Sequence, residues 1–197
     1  MRVTKSQQRA LQQVFTAKSW SVRVGAILVL LIAAFGWWQQ NQVKPGQLSR
    51  GGLLQGEVVQ VADGDTITLR DQERKEYRLR LAYIDAPEKA MSGGSAAKNH
   101  LQELVLNQQV QARVDDVDRY GRGVARIERG GQDINLAQLQ SGHAWHYAQY
   151  AKKSQSGTEF SRYQQAQQQA RKQKSGLWRE SSPTPPWEWR AARREQE

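Results

Sequence analysis

The chain contains no cysteine, which excludes disulfides and thiolate metal sites and leaves packing to supply stability. Histidine is nearly as scarce, at three in 197 residues. His143 and His146 stand close together in sequence, but no third nitrogen or thiolate accompanies them, so both read as packing or surface residues rather than zinc ligands. No acidic residue precedes Glu57, and Arg2, Lys5, Arg9, Lys18 and Arg23 supply half of the net charge of +10. The balance suggests an anionic partner, either nucleic acid or an acidic lipid surface. A long apolar run is also missing: the longest, residues 24–38, falls short of the roughly 20 residues that cross a bilayer comfortably.

That run nevertheless ends in Trp37 and Trp38, which suit a membrane interface, and the uncharged residues 39–43 extend its reach. It lacks the polar face of a surface helix. Residues 24–43 therefore read as a transmembrane or signal-anchor helix behind a basic segment, residues 1–23. With basic residues before the span and none close after it, the N-terminus stays cytoplasmic and the rest is exported, to periplasm or exterior. The competing reading is a cleaved signal peptide, which would leave the domain secreted. Ala34-Phe35-Gly36 offers a small-x-small site, but two tryptophans directly after it fit cleavage poorly.

Residues 44–52, with Pro45, Gly46, Gly51 and Gly52, read as a linker, and residues 53–180 as one domain. Alternating apolar patterns predict strands near residues 55–62, 66–71, 76–84, 110–114 and 124–128. Helices are predicted near residues 95–106, 134–140 and 158–174, with Gly176 just past the last. Strands first and helices later, with one helix inserted among the strands, give a β-barrel plus α (α+β) class, a small five-stranded barrel with about three helices packed outside. The glutamine-rich residues 164–169 read as the solvated face of the last helix. Beyond residue 180, Pro183-Thr184-Pro185-Pro186 stops regular structure and leaves Trp187-Glu188-Trp189-Arg190 on a C-terminal tail, residues 181–197.

The chemistry concentrates between Val58 and Glu88. Asp63-Gly64-Asp65 reads as a hairpin turn between apolar runs, and the same residues read as one half of a site because a second acidic pair, in Asp85-Ala86-Pro87-Glu88, ends the third predicted strand. If the acidic ends meet, Asp65 and Asp85 supply oxygen ligands for a hard cation, calcium or magnesium. Glu88 stays free as general base for a water, and Asp63 supports the ligands from behind. Arg80, on the strand that carries Asp85, and Arg122, in Asp118-Arg119-Tyr120-Gly121-Arg122-Gly123, can hold a phosphodiester in their guanidinium forks and stabilise its transition state. Tyr147 and Tyr150 could stack on a base or fill the seam between barrel and last helix, and the seam is the reading favoured for Tyr147.

Asp63-Gly64-Asp65-Thr66, then Arg80-Leu81 with Asp85-Ala86-Pro87-Glu88, then residues 118–123 resemble, in order and spacing, the three motifs of the staphylococcal nuclease (thermonuclease) family. The likeness runs from about Leu53 to Trp178. It implies an OB-fold barrel that cuts DNA and RNA phosphodiesters. It also implies calcium on Asp65, Asp85 and the backbone carbonyl of Ala86, with Glu88 as general base. Arg80 and Arg122 would sit at the phosphate, and Tyr120 would lie near it as a substrate-binding residue. Ala86 stands where the best-known member has threonine, and residues 89–94 form a shorter, less basic loop than in that member. A monomer is expected. The alternative is a membrane-tethered nucleic-acid-binding barrel without catalysis, in which the acids are structural.

Overall fold

The computed structural model describes residues 48–195, together with residue 24 and residues 27–32. The chain falls into two units, Met1–Gln47 and Leu48–Glu197. In the first, the described residues are helical and expose apolar side chains such as Leu28, Leu31 and Ile32. Among the described residues no helix is long and apolar enough to cross a membrane. The whole basic segment, residues 1–23, and the rest of the anchor reading, residues 25–26 and 33–43, lie outside the described residues.

The second unit opens with three antiparallel strands, β1 (Leu53–Val61), β2 (Thr66–Arg70) and β3 (Glu76–Leu81). After the two-residue β4 (Ile84–Asp85) and helix α1 (Gly94–Val105) come β5 (Gln109–Val117) and β6 (Gly123–Arg129). β5 pairs antiparallel with β1 and β6, and β6 closes the cylinder by running parallel to β3. This is the five-stranded barrel with outer helices that the pattern predicts. Register shifts between Val58 and Gln60 and between Val114 and Asp116 give the extra twist that closure demands.

Period-2 alternation decides which side chains fill the barrel. On β2, Ile67 and Leu69 are buried; on β3, Tyr77, Leu79 and Leu81 are. Each fully buried aliphatic side chain of this kind contributes about 2 kcal/mol through removal from water. Arg78 and Arg80 consequently face outward, Arg80 only partly covered. Ala97, Leu101 and Val105 form the buried stripe of α1 at helical spacing. The remaining elements are β7 (Gln132–Asp133), α2 (Ile134–Gln140), β8 (Trp145–His146), α3 (Ala148–Ser154), α4 (Gly157–Lys172), a 3-10 turn (Gly176–Arg179) and α5 (Pro186–Arg194).

Three differences from the sequence reading have physical causes. The third strand, predicted through residue 84, stops at Leu81 because Tyr83 adopts a left-handed conformation (φ 67°) that no strand can continue. Its hydroxyl donates to Asp115 at 2.8 Å and its carbonyl accepts from Tyr147 N at 2.8 Å. Residues 48–52, read as linker, already belong to the compact unit, with backbone bonds from Gly51 N to Val114 O and from Val114 N to Gly52 O. The tail beyond Pro183 is regular: prolines are compatible with a helix start, and Pro186 occupies the first turn of α5.

Candidate active site

The two acidic stretches meet on the outer face of β3. Asp63, Gly64 and Asp65 form the connection from β1 to β2, so the hairpin reading is realised, and the turn lies against the second acidic stretch, Ala86 N donating to Asp65. The turn is held from below: the fully buried Gln138 of α2 donates to Gly64 O at 2.6 Å and to Ala97 O at 3.1 Å. Gly64 is required by close approach, since a Cβ there would stand 2.7 Å from the Cβ atoms of both Ala86 and Ala97. Asn135, also of α2 and fully buried, donates to Ala82 O and Ala125 O and accepts from Ile127 N. It ties the end of β3 to β6 just before Asp85.

Asp65 is buried; its Oδ2 accepts from Ala86 N at 3.1 Å and its Oδ1 from the Thr66 hydroxyl at 3.0 Å. Asp85 is 0% exposed on β4, which pairs with β8 so that Asp85 lies opposite Trp145. Arg80 Nη2 stands 2.7 Å from Asp85 Oδ1 and 3.5 Å from Asp65 Oδ2. Oxygens of the two aspartates that share one guanidinium nitrogen face a common point. Asp63 Oδ1 accepts from Asp65 N at 3.1 Å, and burial together with the Asp65 charge pushes its carboxyl up to about 6. Burial likewise pushes Asp85 up, opposed by its hydrogen bond from an arginine. Glu88 lies beside this group with its side chain 37% exposed. The chain after it folds so tightly that a Cβ on Gly94 would stand 2.1 Å from Glu88 O.

That opposing arginine is Arg190 of α5. It reaches Asp85 Oδ2 at 2.6 Å through Nη2, and Asp85 Oδ1 at 3.3 Å and Glu88 Oε1 at 2.8 Å through Nη1. Sequence reasoning left it on a tail without a role. The available signal was the spacing of Trp187 and Arg190, three residues apart behind a proline, which puts an aromatic anchor and a cation on one face of a helix.

Arg122 and Tyr120 are placed differently. Arg122 Nε donates to Asp118 Oδ2 at 2.7 Å, and Asp118 Oδ1 also accepts from the backbone of Tyr120 and Arg122. Tyr120 is 69% exposed, with the Arg119 and Arg122 guanidinium groups 4.8 and 5.6 Å from its ring centre. Arg122 thus pairs within its own loop, not with the acids. The parallel register pairs Arg80 with Val124, so the loop enters the barrel alongside the strand that carries Arg80.

The donors around Arg80 are all carboxylate oxygens, a hard set suited to calcium or magnesium and unsuited to zinc. Among the described residues no group of three or more His, Cys, Asp or Glu side chains is placed to hold a metal ion, and the acids that share Arg80 are the pair Asp65 and Asp85. The histidines lie elsewhere. His146 is buried with Nε2 3.1 Å from Gln155 Oε1, and burial lowers its pKa. His143 packs 4.7 Å from His100, a neighbour that is remote in sequence. At the seam against α4, Tyr83 and His146 meet Tyr163, while the Tyr147 ring contacts Tyr150 and Trp187.

Sequence comparisons agree with this geometry. The family described as staphylococcal nuclease homologue matches residues 78–180, which include Arg80, Asp85, Glu88 and Arg122. A protein of Shigella flexneri named micrococcal nuclease is 35% identical over 178 residues, covering 86% of this chain and 91% of its own length. A protein of Haemophilus influenzae described as an uncharacterized endonuclease is 38% identical over 133 residues, 68% of this chain and 71% of its own. One of the same description from Escherichia coli O157:H7 is 38% identical over 138 residues, 70% and 85%. A family match spanning more than half the sequence, on a closed five-stranded barrel that gathers Asp65, Arg80, Asp85 and Glu88 at one place, means that the chain belongs to the staphylococcal nuclease family.

Proposed function

We propose that this phosphodiester hydrolase cuts DNA, RNA or both with the help of a divalent cation, calcium in the first instance. The observation that carries the reading is the convergence of Asp65 and Asp85 on one nitrogen of Arg80, with Glu88 alongside. Held by Asp65, Asp85 and the carbonyl of Ala86, the cation would supply Lewis acidity and neutralise phosphoryl charge. Glu88 takes the proton of the attacking water as the new phosphorus–oxygen bond forms. The bond from phosphorus to the leaving sugar oxygen breaks on the opposite side, and that oxygen leaves with a proton from solvent. Arg80, partly covered and fixed by Asp85, is preorganised to meet charge on the phosphoryl oxygens. Arg122 joins it once its loop closes over substrate, with Tyr120 lining the approach.

The test is a labelled single-stranded oligonucleotide, as DNA and as RNA, incubated with the full-length chain in calcium, magnesium or chelator. Fragments in calcium and none in chelator are expected, and Glu88→Gln lowers turnover by on the order of a thousandfold while the fold is kept. Retention of intact oligonucleotide in calcium would instead identify a binding module, and unchanged turnover in Glu88→Gln would remove Glu88 from the chemistry.

We further propose that residues 24–43 tether the enzyme to a membrane with the domain exported. The basic residues before the span and their absence directly after it support this orientation. Protease added to intact cells or spheroplasts should digest the domain; protection of the domain until the membrane is lysed contradicts it.

A further inference from the structure

The contact that neither the motifs nor the family match accounts for is α5 on the acid cluster. The match ends at residue 180, and α5 begins at Pro186. It is fixed at two points. Trp187 lies flat on Tyr147, ring centres 5.2 Å apart and planes 4° from parallel, and packs on the cluster of Trp145, Ala170, Leu177 and Trp178. One turn later Arg190 spans Asp85 and Glu88. The two points are mechanically linked, because Trp145 of the aromatic cluster is the strand partner of Asp85.

A carboxylate that gives both oxygens to a guanidinium has most of its lone pairs engaged, so a metal has to compete for them. Asp85 accepts from Arg190 at 2.6 and 3.3 Å and from Arg80 at 2.7 Å. Arg190 therefore does for Asp85 and Glu88 what a divalent cation would do: it neutralises acids that are costly to hold together. Arg80 alone leaves the cluster of Asp63, Asp65, Asp85 and Glu88 strongly anionic. The difference is that Arg190 is tethered, and so acts at a high effective concentration set by the docked helix.

We propose that α5 is a built-in competitor of the metal. In the resting state Arg190 holds the Asp85 oxygens that the cation would share and the Glu88 oxygen that water would need, and cation binding expels it, freeing Glu88 for water. Trp187 on Tyr147 sets how firmly the helix is held, and hence the cation concentration at which the site opens. This inference rests on the reading of Asp85 as a metal ligand.

Calorimetric titration of calcium chloride into the full-length chain tests it. Arg190→Gln, a chain ending at Ser182, and Trp187→Ala should each tighten calcium binding, by about tenfold or more for the first two. Trp187→Ala removes no charge, so it separates loss of docking from a changed charge at the site, and circular dichroism checks that each variant is folded. In the unmutated chain, calcium should expose α5 to trypsin and release a peptide cut at Arg190, Arg193 or Arg194. Calcium affinity unchanged or weakened in Arg190→Gln, or α5 protected equally with and without calcium, overturns the inference while leaving the metal site intact. Absence of calcium binding in the unmutated chain and in all variants overturns the metal reading itself, and the inference with it.

Discussion

The acid cluster and the loop of residues 118–122 both carry residues of the proposed site, but the protein holds them in opposite ways. The cluster is clamped from the core. Gln138 and Asn135, both fully buried, bond the backbone on either side of it, and Gly64 admits no added atom. The loop is held by its own bonds to Asp118, with Tyr120 standing in solvent. The proposed function accounts for the contrast: acids that present oxygens to a cation need fixed geometry, whereas a loop that meets a polymer benefits from freedom to close on it.

Breaking the two holds should therefore give opposite signatures. Asn135→Ala leaves the Ile127 amide and the Ala82 and Ala125 carbonyls without their side-chain partner and should cost about 3 kcal/mol in urea unfolding. Activity would fall mainly through loss of folded protein. Arg122→Gln removes a partly covered ion pair and should cost about 1 kcal/mol or less, while kcat/KM drops on the order of a hundredfold with the fold intact. Equal destabilisation by the two substitutions would mean that the loop is as much a part of the framework as the clamp.

A smaller effect sharpens the cost of assembling the acids. The Asp63 carboxyl is raised from its ordinary range to about 6 by burial and by Asp65, so the folded state binds more protons than the unfolded one between pH 4 and 6. Its contribution is then lost as pH rises through that window. In chelator, Asp63→Asn should escape this loss and be more stable than the unmutated protein at pH 8, by on the order of 1 kcal/mol, with the difference shrinking towards pH 4. Thermal melts across that range decide it, and a difference that grows on acidification contradicts the assignment.

Much of the framework was legible because its signals are local. Alternation marked β2 and β6, and helical periodicity marked α2, whose residues 134–140 agree with prediction. The motif acids and Arg80 could be named before the fold was seen, since a turn and a strand end each carry two carboxylates. What was not legible depends on chain segments far apart in sequence. Tyr83 breaks its strand because its hydroxyl and carbonyl find partners near residues 115 and 147. His143 meets His100 with β5, β6 and α2 between them in the chain. Arg190 reaches Asp85 over 105 residues.

The sequence alone determined the barrel class, the family and the identity of the acids, because periodicity, turn residues and motif spacing are short-range consequences of backbone geometry. Only the tertiary structure decided which cation those acids face at rest. A counter-ion is chosen by distance in space, and the closing of the barrel together with the docking of Trp187 on Tyr147 brings the penultimate stretch of the chain, rather than the arginine of the third motif, onto Asp85 and Glu88.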